Sequence, residues 1–283
     1  MKIFLTGADG ALGTEMQTLL RREKISFLPI DIRQFDITDF RKTIEAVTNY
    51  HPDVILHFAA LSDVDACESD PERAYRTNAL SALGLATSAR RVNAKILFTS
   101  SNFVFDGRNE TGYYESDPAN PISVYGRTKL AGETFIRDLY DRFYIVRTAW
   151  LFGKNCKTFI SKFLQAREKP LSIDVICDQI GSFTYLPDLC EAIFTLIRTE
   201  NFGVFHLTNS GCGSWLDFSL KAKDLAKFKT DLRAVKTEEL NLAAPRPQFG
   251  TLLSRNYEFF FEHSMRPWET ALAEFMKELR SGS

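Results

Sequence analysis

Long hydrophobic runs, paired cysteines and an excess of charge of one sign are all missing from this sequence of 283 residues. No apolar stretch approaches the roughly 20 residues that cross a bilayer, and no signal-peptide pattern opens the chain, so we expect no membrane partner. Its 35 basic residues nearly balance 36 acidic ones, which argues against a nucleic-acid partner. The five cysteines form no Cys-x-x-Cys motif, so no disulfide framework or zinc site is expected, and a reducing cytoplasmic location is predicted.

Short apolar runs alternate with helical patterns through the first half of the chain. Near-continuous apolar strands separated by helices are typical of a parallel sheet covered on both faces. Right-handed crossovers then predict an α/β fold with a doubly wound (Rossmann) parallel sheet. The predicted strands are 2–6, 27–30, 54–58, 95–99 and 144–147, and the predicted helices are 11–22, 40–50, 71–92 and 123–139.

After about residue 150 the pattern becomes less regular, and short helices mix with short strands. This change predicts a dinucleotide-binding domain over residues 1–150, which would carry the catalytic residues. Most of 151–283 would then form a smaller C-terminal substrate-binding lobe, with some segments returning to the large sheet. Helices are predicted at 159–167, 188–198, 215–227 and 267–279, and strands at 171–176 and 204–208.

A glycine loop, Gly7-Ala8-Asp9-Gly10-Ala11-Leu12-Gly13, follows the first predicted strand and opens the first helix. Glycines permit a tight turn and let backbone N–H groups approach a pyrophosphate at the positive end of a helix. The spacing Gly-x-x-Gly-x-x-Gly differs from the commoner Gly-x-Gly-x-x-Gly, but the physical requirement is the same. The loop therefore predicts a site for a dinucleotide cofactor.

Asp31 ends the second strand about twenty residues further on, where an acidic group binds the ribose hydroxyls of the adenosine. A carboxylate repels the 2′-phosphate of NADPH, whereas Arg33 would attract it. The pattern favours NADH and leaves NADPH open. Asp36 and Ile37 are predicted to flank the adenine, although Asp36 is equally suited to cap a helix ahead of Thr38.

Small residues after the third strand, in Phe58-Ala59-Ala60, would let the cofactor lie close to the backbone. Asn78 suits a helix interior poorly and is expected to hydrogen-bond a neighbouring loop as structural support. The predicted cofactor-binding residues are Gly7, Gly10, Ala11, Leu12, Gly13, Asp31, Asp36, Ile37, Phe58, Ala59, Ala60, Tyr125 and Lys129.

Tyr125 and Lys129 stand four residues apart in a helical pattern, so they share one face. A phenol has a pKa near ~10, and a nearby ammonium is expected to lower it. Such a tyrosine can donate a proton to a carbonyl oxygen during reduction. Ser101, at the end of the fourth strand, is predicted to polarise that carbonyl and is preferred over Ser100.

Together, these motifs resemble the extended short-chain dehydrogenase/reductase family, and more narrowly the dTDP-4-dehydrorhamnose reductases. The resemblance covers nearly the whole chain and is strongest to about residue 185. The segments that carry it are Phe58-Ala59-Ala60-Leu61-Ser62-Asp63-Val64-Asp65-Ala66-Cys67-Glu68, Val124-Tyr125-Gly126-Arg127-Thr128-Lys129-Leu130-Ala131-Gly132-Glu133, Arg147-Thr148-Ala149-Trp150-Leu151-Phe152-Gly153, Asp178-Gln179-Ile180-Gly181 and Pro245-Arg246-Pro247.

This resemblance implies NAD(P)H-dependent reduction of the C4 ketone of a dTDP-linked 4-keto-6-deoxy sugar to dTDP-L-rhamnose, for polysaccharide biosynthesis. Some relatives hold magnesium at a dimer interface, and Glu15 lies at a compatible place. No metal site is predicted here, and a homodimer is left open. The residues implied as catalytic are Ser101, Tyr125 and Lys129, and those implied as substrate-binding are Ser62, Val64, Ser101, Asn102, Phe103, Tyr125 and Trp150.

Two departures from the family pattern leave alternatives open. Asn102-Phe103 stands where Asp-Tyr is usual, and the Arg-Pro-x-x-Ser signature is altered after Arg246-Pro247. A dehydratase needs an acid and a base beside the serine, which Asn102-Phe103 does not supply. A nucleotide-sugar epimerase and a non-catalytic dinucleotide-binding regulatory subunit are the remaining alternatives.

Overall fold

The structure, a computed structural model, describes residues 1–156, 172–227 and 230–281. The strands of the main sheet are β1 (Lys2–Thr6), β2 (Ser26–Ile30), β3 (Val54–His57), β4 (Lys95–Ser101), β5 (Phe143–Thr148) and β10 (Gly203–His206). All six are parallel, in the order β10-β5-β4-β3-β1-β2. The connections after β1 and β3 run in opposite directions, which opens a crevice at their carboxyl ends. The predicted doubly wound fold is confirmed.

Helices cover both faces of this sheet, and each face has its own apolar core. The covering helices are α1 (Ala11–Arg22), α2 (Phe40–Tyr50), α5 (Ser81–Val92), α6 (Val124–Leu139) and α7 (Leu186–Ile197). Helices α1 and α7 pack on one face, whereas α2, α5 and α6 pack on the other. Because both faces are covered, β3 is buried along its whole length, as its near-continuous apolar run predicts.

The single helix predicted over 71–92 is interrupted in the structure. It consists of α4 (Pro71–Tyr75), a π turn (Arg76–Leu80) and α5. A further helix, α3 (Val64–Ser69), precedes it and was not predicted. Asp70 caps α4 by accepting a hydrogen bond from Arg73 N, and Pro71 occupies the first helical turn, so α3 and α4 stay separate.

Within the described residues, the second half of the chain adds small sheets and further helices. The strands are β6 (Leu151–Phe152), β7 (Ser172–Ile176), β8 (Ile180–Gly181), β9 (Thr184–Tyr185), β11 (Gly213–Ser214), β12 (Asp231–Val235) and β13 (Phe249–Gly250), and the helices are α8 (Trp215–Ala226), α9 (Arg255–Phe261) and α10 (Trp268–Ser281). An aromatic core that includes Phe152, Phe183, Phe218 and Trp268 holds these elements together.

Every strand predicted for the main sheet is present, with its ends within two residues of the prediction. The predicted helix at 159–167 lies outside the described residues, and α9 was not predicted. The division into two domains stays a prediction. Within the described ranges, no helix has the length and apolar character needed to cross a membrane.

Candidate active site

A cleft of about 770 Å³ opens at the carboxyl edge of the main sheet. The glycine loop, the ends of β2, β3 and β4, and helix α6 contribute to its walls. Most of the residues predicted from the sequence to bind cofactor or substrate therefore meet at one place. Those that line the cleft are Gly7, Gly10, Ala11, Leu12, Gly13, Asp31, Asp36, Ile37, Phe58, Ala59, Ala60, Ser62, Tyr125 and Lys129.

The glycine loop packs so closely on its neighbours that side chains are excluded at Gly7 and Gly13. Gly7 has a φ of 68°, and a Cβ there would lie 2.5 Å from the backbone nitrogen of Ala59. A Cβ on Gly13 would overlap the carbonyl oxygen of Gly7. Gly10 precedes α1 without a side-chain cap, so the first N–H groups of this helix remain available to an anion. This geometry fits a pyrophosphate group.

Directly after β2, Asp31 is held by Arg33. The guanidinium Nη2 lies 2.5 Å from Asp31 Oδ2, and the Arg33 backbone nitrogen donates to Oδ1 at 2.8 Å. These hydrogen bonds hold the pKa of Asp31 below its usual value. Asp31 is nearly buried, whereas 76% of the Arg33 side chain is exposed. Asp36 lines the cleft and also accepts from Thr38 N at 2.9 Å, while Asp39 caps α2.

Tyr125 and Lys129 border the same cleft, and their surroundings change both pKa values. Burial raises the pKa of Tyr125 to about 12 and lowers that of Lys129 to about 7. The Lys129 Nζ lies 4.1 Å from the centre of the Phe98 ring. The expectation that the ammonium lowers the pKa of the phenol is wrong for this structure, because the loss of hydration favours the neutral form of both groups.

Ser101 lies next to Tyr125, and its hydroxyl partly offsets the rise in the tyrosine pKa. Ser101 Oγ also donates to Asn102 Oδ1 at 3.2 Å and accepts from Phe103 N at 3.3 Å. The structure thus brings Ser101 and Tyr125 together, as the sequence predicts for a catalytic pair.

Five residues predicted to bind substrate are not among those that line the cleft: Val64, Ser101, Asn102, Phe103 and Trp150. Asn102 is buried, and its Nδ2 donates to the Gly250 carbonyl at 3.3 Å. The ring of Phe103 meets that of Tyr125 edge-on, with centroids 5.5 Å apart. The ring of Trp150 stacks on that of Trp215, with centroids 4.5 Å apart. Val64 is the first residue of α3. Their contact with substrate stays a prediction.

Arg246, in the altered Arg-Pro segment, is bound to α3. Its guanidinium makes two hydrogen bonds to Asp65, of 2.6 and 2.8 Å, and this pairing lowers the pKa of Asp65 to about 2. The next residue, Pro247, packs on Gly107 so closely that a Cβ on that glycine would lie 2.5 Å from the Pro247 Cα. The segment around Arg246 is therefore tied to the loops that flank the site.

One wall of the cleft was not predicted from the sequence. This wall comes from α4 and the π turn, and it carries two arginines without any local motif that marks them. Further residues join it at the ends of β2, β4 and β5. The missed lining residues include Ile32, Phe35, Asp70, Glu72, Arg73, Arg76, Thr77, Thr99, Thr148 and Leu151, whereas Ser100, the alternative to Ser101, also lines the cleft.

Two buried polar side chains support the floor of the cleft. Asn78 accepts from Leu61 N at 2.8 Å and donates to Thr128 Oγ1 at 3.0 Å, so the predicted supporting role is confirmed. His57 is hydrogen-bonded to Thr6 Oγ1 at 2.8 Å and to Ser81 Oγ at 3.0 Å. Burial lowers the pKa of His57 to about 3, so this histidine stays neutral at physiological pH.

A doubly wound sheet with a glycine loop at its switch point, and a tyrosine and a lysine on one helix facing the same cleft, defines a nicotinamide-dinucleotide-dependent oxidoreductase. Comparison with known proteins narrows this class. The family described as RmlD substrate binding domain matches residues 1–281. The chain belongs to this family.

Relatives and solved structures match over nearly the whole chain. The spore coat polysaccharide biosynthesis protein SpsK of Bacillus subtilis is 33% identical over 282 residues, covering 99% of this chain and 98% of SpsK. The dTDP-4-dehydrorhamnose reductase of Streptomyces griseus is also 33% identical and covers 95% of this chain and 91% of its own. The crystal structure of the Bacillus anthracis dTDP-4-dehydrorhamnose reductase with NADP superimposes with a TM-score of 0.95, at 35% identity, and covers 98% and 99% of the two chains.

Proposed function

We propose that this protein reduces the C4 ketone of dTDP-4-dehydrorhamnose to give dTDP-L-rhamnose, a building block for polysaccharides. The observation that carries the proposal is the meeting of Tyr125, Lys129 and the glycine loop in one cleft, with Ser101 next to the tyrosine. Full-length similarity to reductases of this substrate supports the choice of sugar. The homodimer left open above and the cytoplasmic location stay predictions.

Tyr125 would be the proton donor. Because burial raises its pKa to about 12, the phenol holds its proton throughout the neutral range. It can therefore donate that proton to the ketone oxygen as negative charge develops there. The reduced nicotinamide supplies the hydride when it is bound.

Lys129 would stabilise the phenolate that Tyr125 leaves behind. Its ammonium is almost fully removed from water, so its interaction with a neighbouring negative charge is stronger than in solvent. Ser101 would orient the ketone oxygen towards Tyr125. Asn102 is better suited to hold Ser101 in place than to touch the sugar, because its amide is already bonded to Ser101 and to Gly250.

Asp31 and Arg33 would together decide the choice of cofactor. The Asp31 carboxylate is suited to the ribose hydroxyls of NADH, but Arg33 already compensates its charge. The exposed guanidinium is also suited to bind a 2′-phosphate. We therefore propose that the site accepts both cofactors: Asp31 would bind the ribose hydroxyls of NADH, and Arg33 would bind the 2′-phosphate of NADPH.

The test is a turnover assay of the purified protein with a panel of dTDP-linked 4-keto-6-deoxy sugars and each cofactor, followed by identification of the product. We expect loss of NAD(P)H absorbance and formation of dTDP-L-rhamnose. Tyr125→Phe should abolish turnover while it retains cofactor binding. An unchanged rate in Tyr125→Phe would reject this residue as the proton donor. Cofactor binding by the wild type without reduction of any sugar would favour the regulatory alternative instead.

A further inference from the structure

Three consecutive hydroxyl side chains end β4, and they differ in their hydrogen bonds. Thr99 Oγ1 donates to the His57 carbonyl at 3.1 Å, and Ser101 Oγ donates to Asn102 Oδ1. Ser100 is only 3% exposed, yet its Oγ has no hydrogen-bond partner within the described part of the chain. A buried hydroxyl without a partner destabilises a fold, so such a group requires an explanation.

The direction of the Ser100 side chain follows from its position in the strand. Side chains two residues apart in a strand lie on the same face, so Ser100 lies on the same side of the sheet as Phe98. The ring of Phe98 packs against the Lys129 ammonium at 4.1 Å. Ser100 also lines the cleft that Tyr125 and Lys129 border. Its hydroxyl is therefore on the α6 side of the cleft, together with the proposed catalytic residues.

The strand order places Ser100 along the length of a bound dinucleotide. Three strand-to-strand steps separate β4 from β2, which corresponds to about 14 Å at roughly 4.8 Å a step. Asp31 follows β2 at the adenosine end, and the glycine loop after β1 fits the pyrophosphate between the two ends. Ser100 consequently lies beyond the pyrophosphate, on the half of the cleft that faces the nicotinamide.

We propose that the Ser100 hydroxyl is a hydrogen-bonding ligand of the nicotinamide half of the cofactor. This inference rests on the proposed function for the identity of the cofactor. A serine hydroxyl both donates and accepts, which suits the amide and hydroxyl groups of a nicotinamide riboside. The Ser100 hydroxyl then destabilises the protein when no cofactor is bound, because its function is to bind the cofactor.

The test is Ser100→Ala, because ligand binding and stability should respond in opposite directions. We expect the Kd for NADH to rise about five- to tenfold, as for the loss of one hydrogen bond. The Kd for ADP, which lacks the nicotinamide half, should stay unchanged. The melting temperature of the unliganded variant should be equal to or above that of the wild type, because no hydrogen bond is lost.

The matched control is Ser88→Ala. Ser88 is also buried, but its Oγ donates to the Gly84 carbonyl at 2.8 Å within α5. This variant should melt at a lower temperature and bind NADH as the wild type does. It separates the loss of a bonded hydroxyl from the loss of an unbonded one.

Three results would overturn the inference: an unchanged Kd for NADH in Ser100→Ala, equal weakening of ADP and NADH, or a rise confined to the KM of the keto-sugar. The last result would instead assign Ser100 to the substrate. Both binding assays are independent of turnover. If the wild type reduces no sugar but Ser100→Ala still weakens NADH alone, the proposed function fails and this inference stands.

Discussion

The ion pair between Arg147 and Glu133 allows a sharp prediction about what holds the catalytic helix in place. Arg147 lies on β5 and Glu133 on α6, four residues beyond Lys129. Their side chains are 3% and 0% exposed and make two hydrogen bonds, of 2.7 and 2.9 Å. Replacing Glu133 by Gln preserves the shape of the side chain but leaves the buried guanidinium without a counter-charge.

Breaking such a pair costs about 3–5 kcal/mol, because the remaining charge stays buried. This is a large part of the roughly 5–15 kcal/mol that stabilises a typical domain. We expect Glu133→Gln to lower the melting temperature by roughly 6–15 °C. Differential scanning calorimetry measures this shift directly. The double variant Glu133→Leu/Arg147→Met removes both charges and should recover most of the loss, because an apolar pair of similar volume needs no hydration.

A decrease of less than about 2 °C in Glu133→Gln would show that water or another group compensates Arg147. Equal destabilisation of the single and double variants would refute the reasoning in another way, since the cost would then come from packing and not from the unpaired charge. The exposed Arg90→Gln, at the far end of α5, is the control and should leave the melting temperature unchanged.

Three further predictions test the floor, the electrostatics and the selectivity of the cleft. Asn78→Ala removes three hydrogen bonds made by a buried side chain, and it should reduce the free energy of unfolding by about 3 kcal/mol; a loss below about 1 kcal/mol in chemical denaturation would contradict this. The stabilising ammonium of Lys129 exists below its pKa of about 7, and Tyr125 stays protonated to about 12, so kcat/KM for ketone reduction should fall as pH rises through about 7. A profile that is flat from about pH 6 to about pH 9 would count against this role for the lysine. Arg33→Ala should weaken NADPH binding about tenfold relative to NADH in titrations, whereas parallel changes for both cofactors would exclude a 2′-phosphate contact.

Local patterns in the chain were sufficient to predict the main sheet. Near-continuous apolar runs such as 54–58 belong to strands buried on both faces, and helices alternate with these strands along the chain. The glycine loop and the spacing of Tyr125 and Lys129 are equally local, because each depends on residues within one turn or one strand–helix junction. The interruption of the helix at the π turn was not predictable in this way. Asn78 there is bonded to Leu61 and Thr128, 17 and 50 residues away.

Contacts between residues far apart in the chain, such as those of Asn102 and Asp65, were likewise not predictable from local patterns. The resemblance to the reductases implies that Asn102 contacts the substrate. Its partner in the structure is Gly250, which lies 148 residues further along the chain. Likewise, Asp65 is paired with Arg246 across 181 residues. No local motif predicts such pairings, so their effect on the site can be determined only from the folded structure.

The amino-acid sequence by itself determined the doubly wound sheet, the glycine loop and the pairing of a phenol with an amine on one helix, since all three follow from spacing over a few residues. Only the tertiary structure decided the protonation of that pair, because hydration depends on everything that packs around Tyr125 and Lys129. It also decided that Arg33 compensates Asp31, and that Ser100 keeps a buried hydroxyl without a partner in the described chain. Both outcomes depend on the distances between side chains after packing, and these are properties of the fold as a whole.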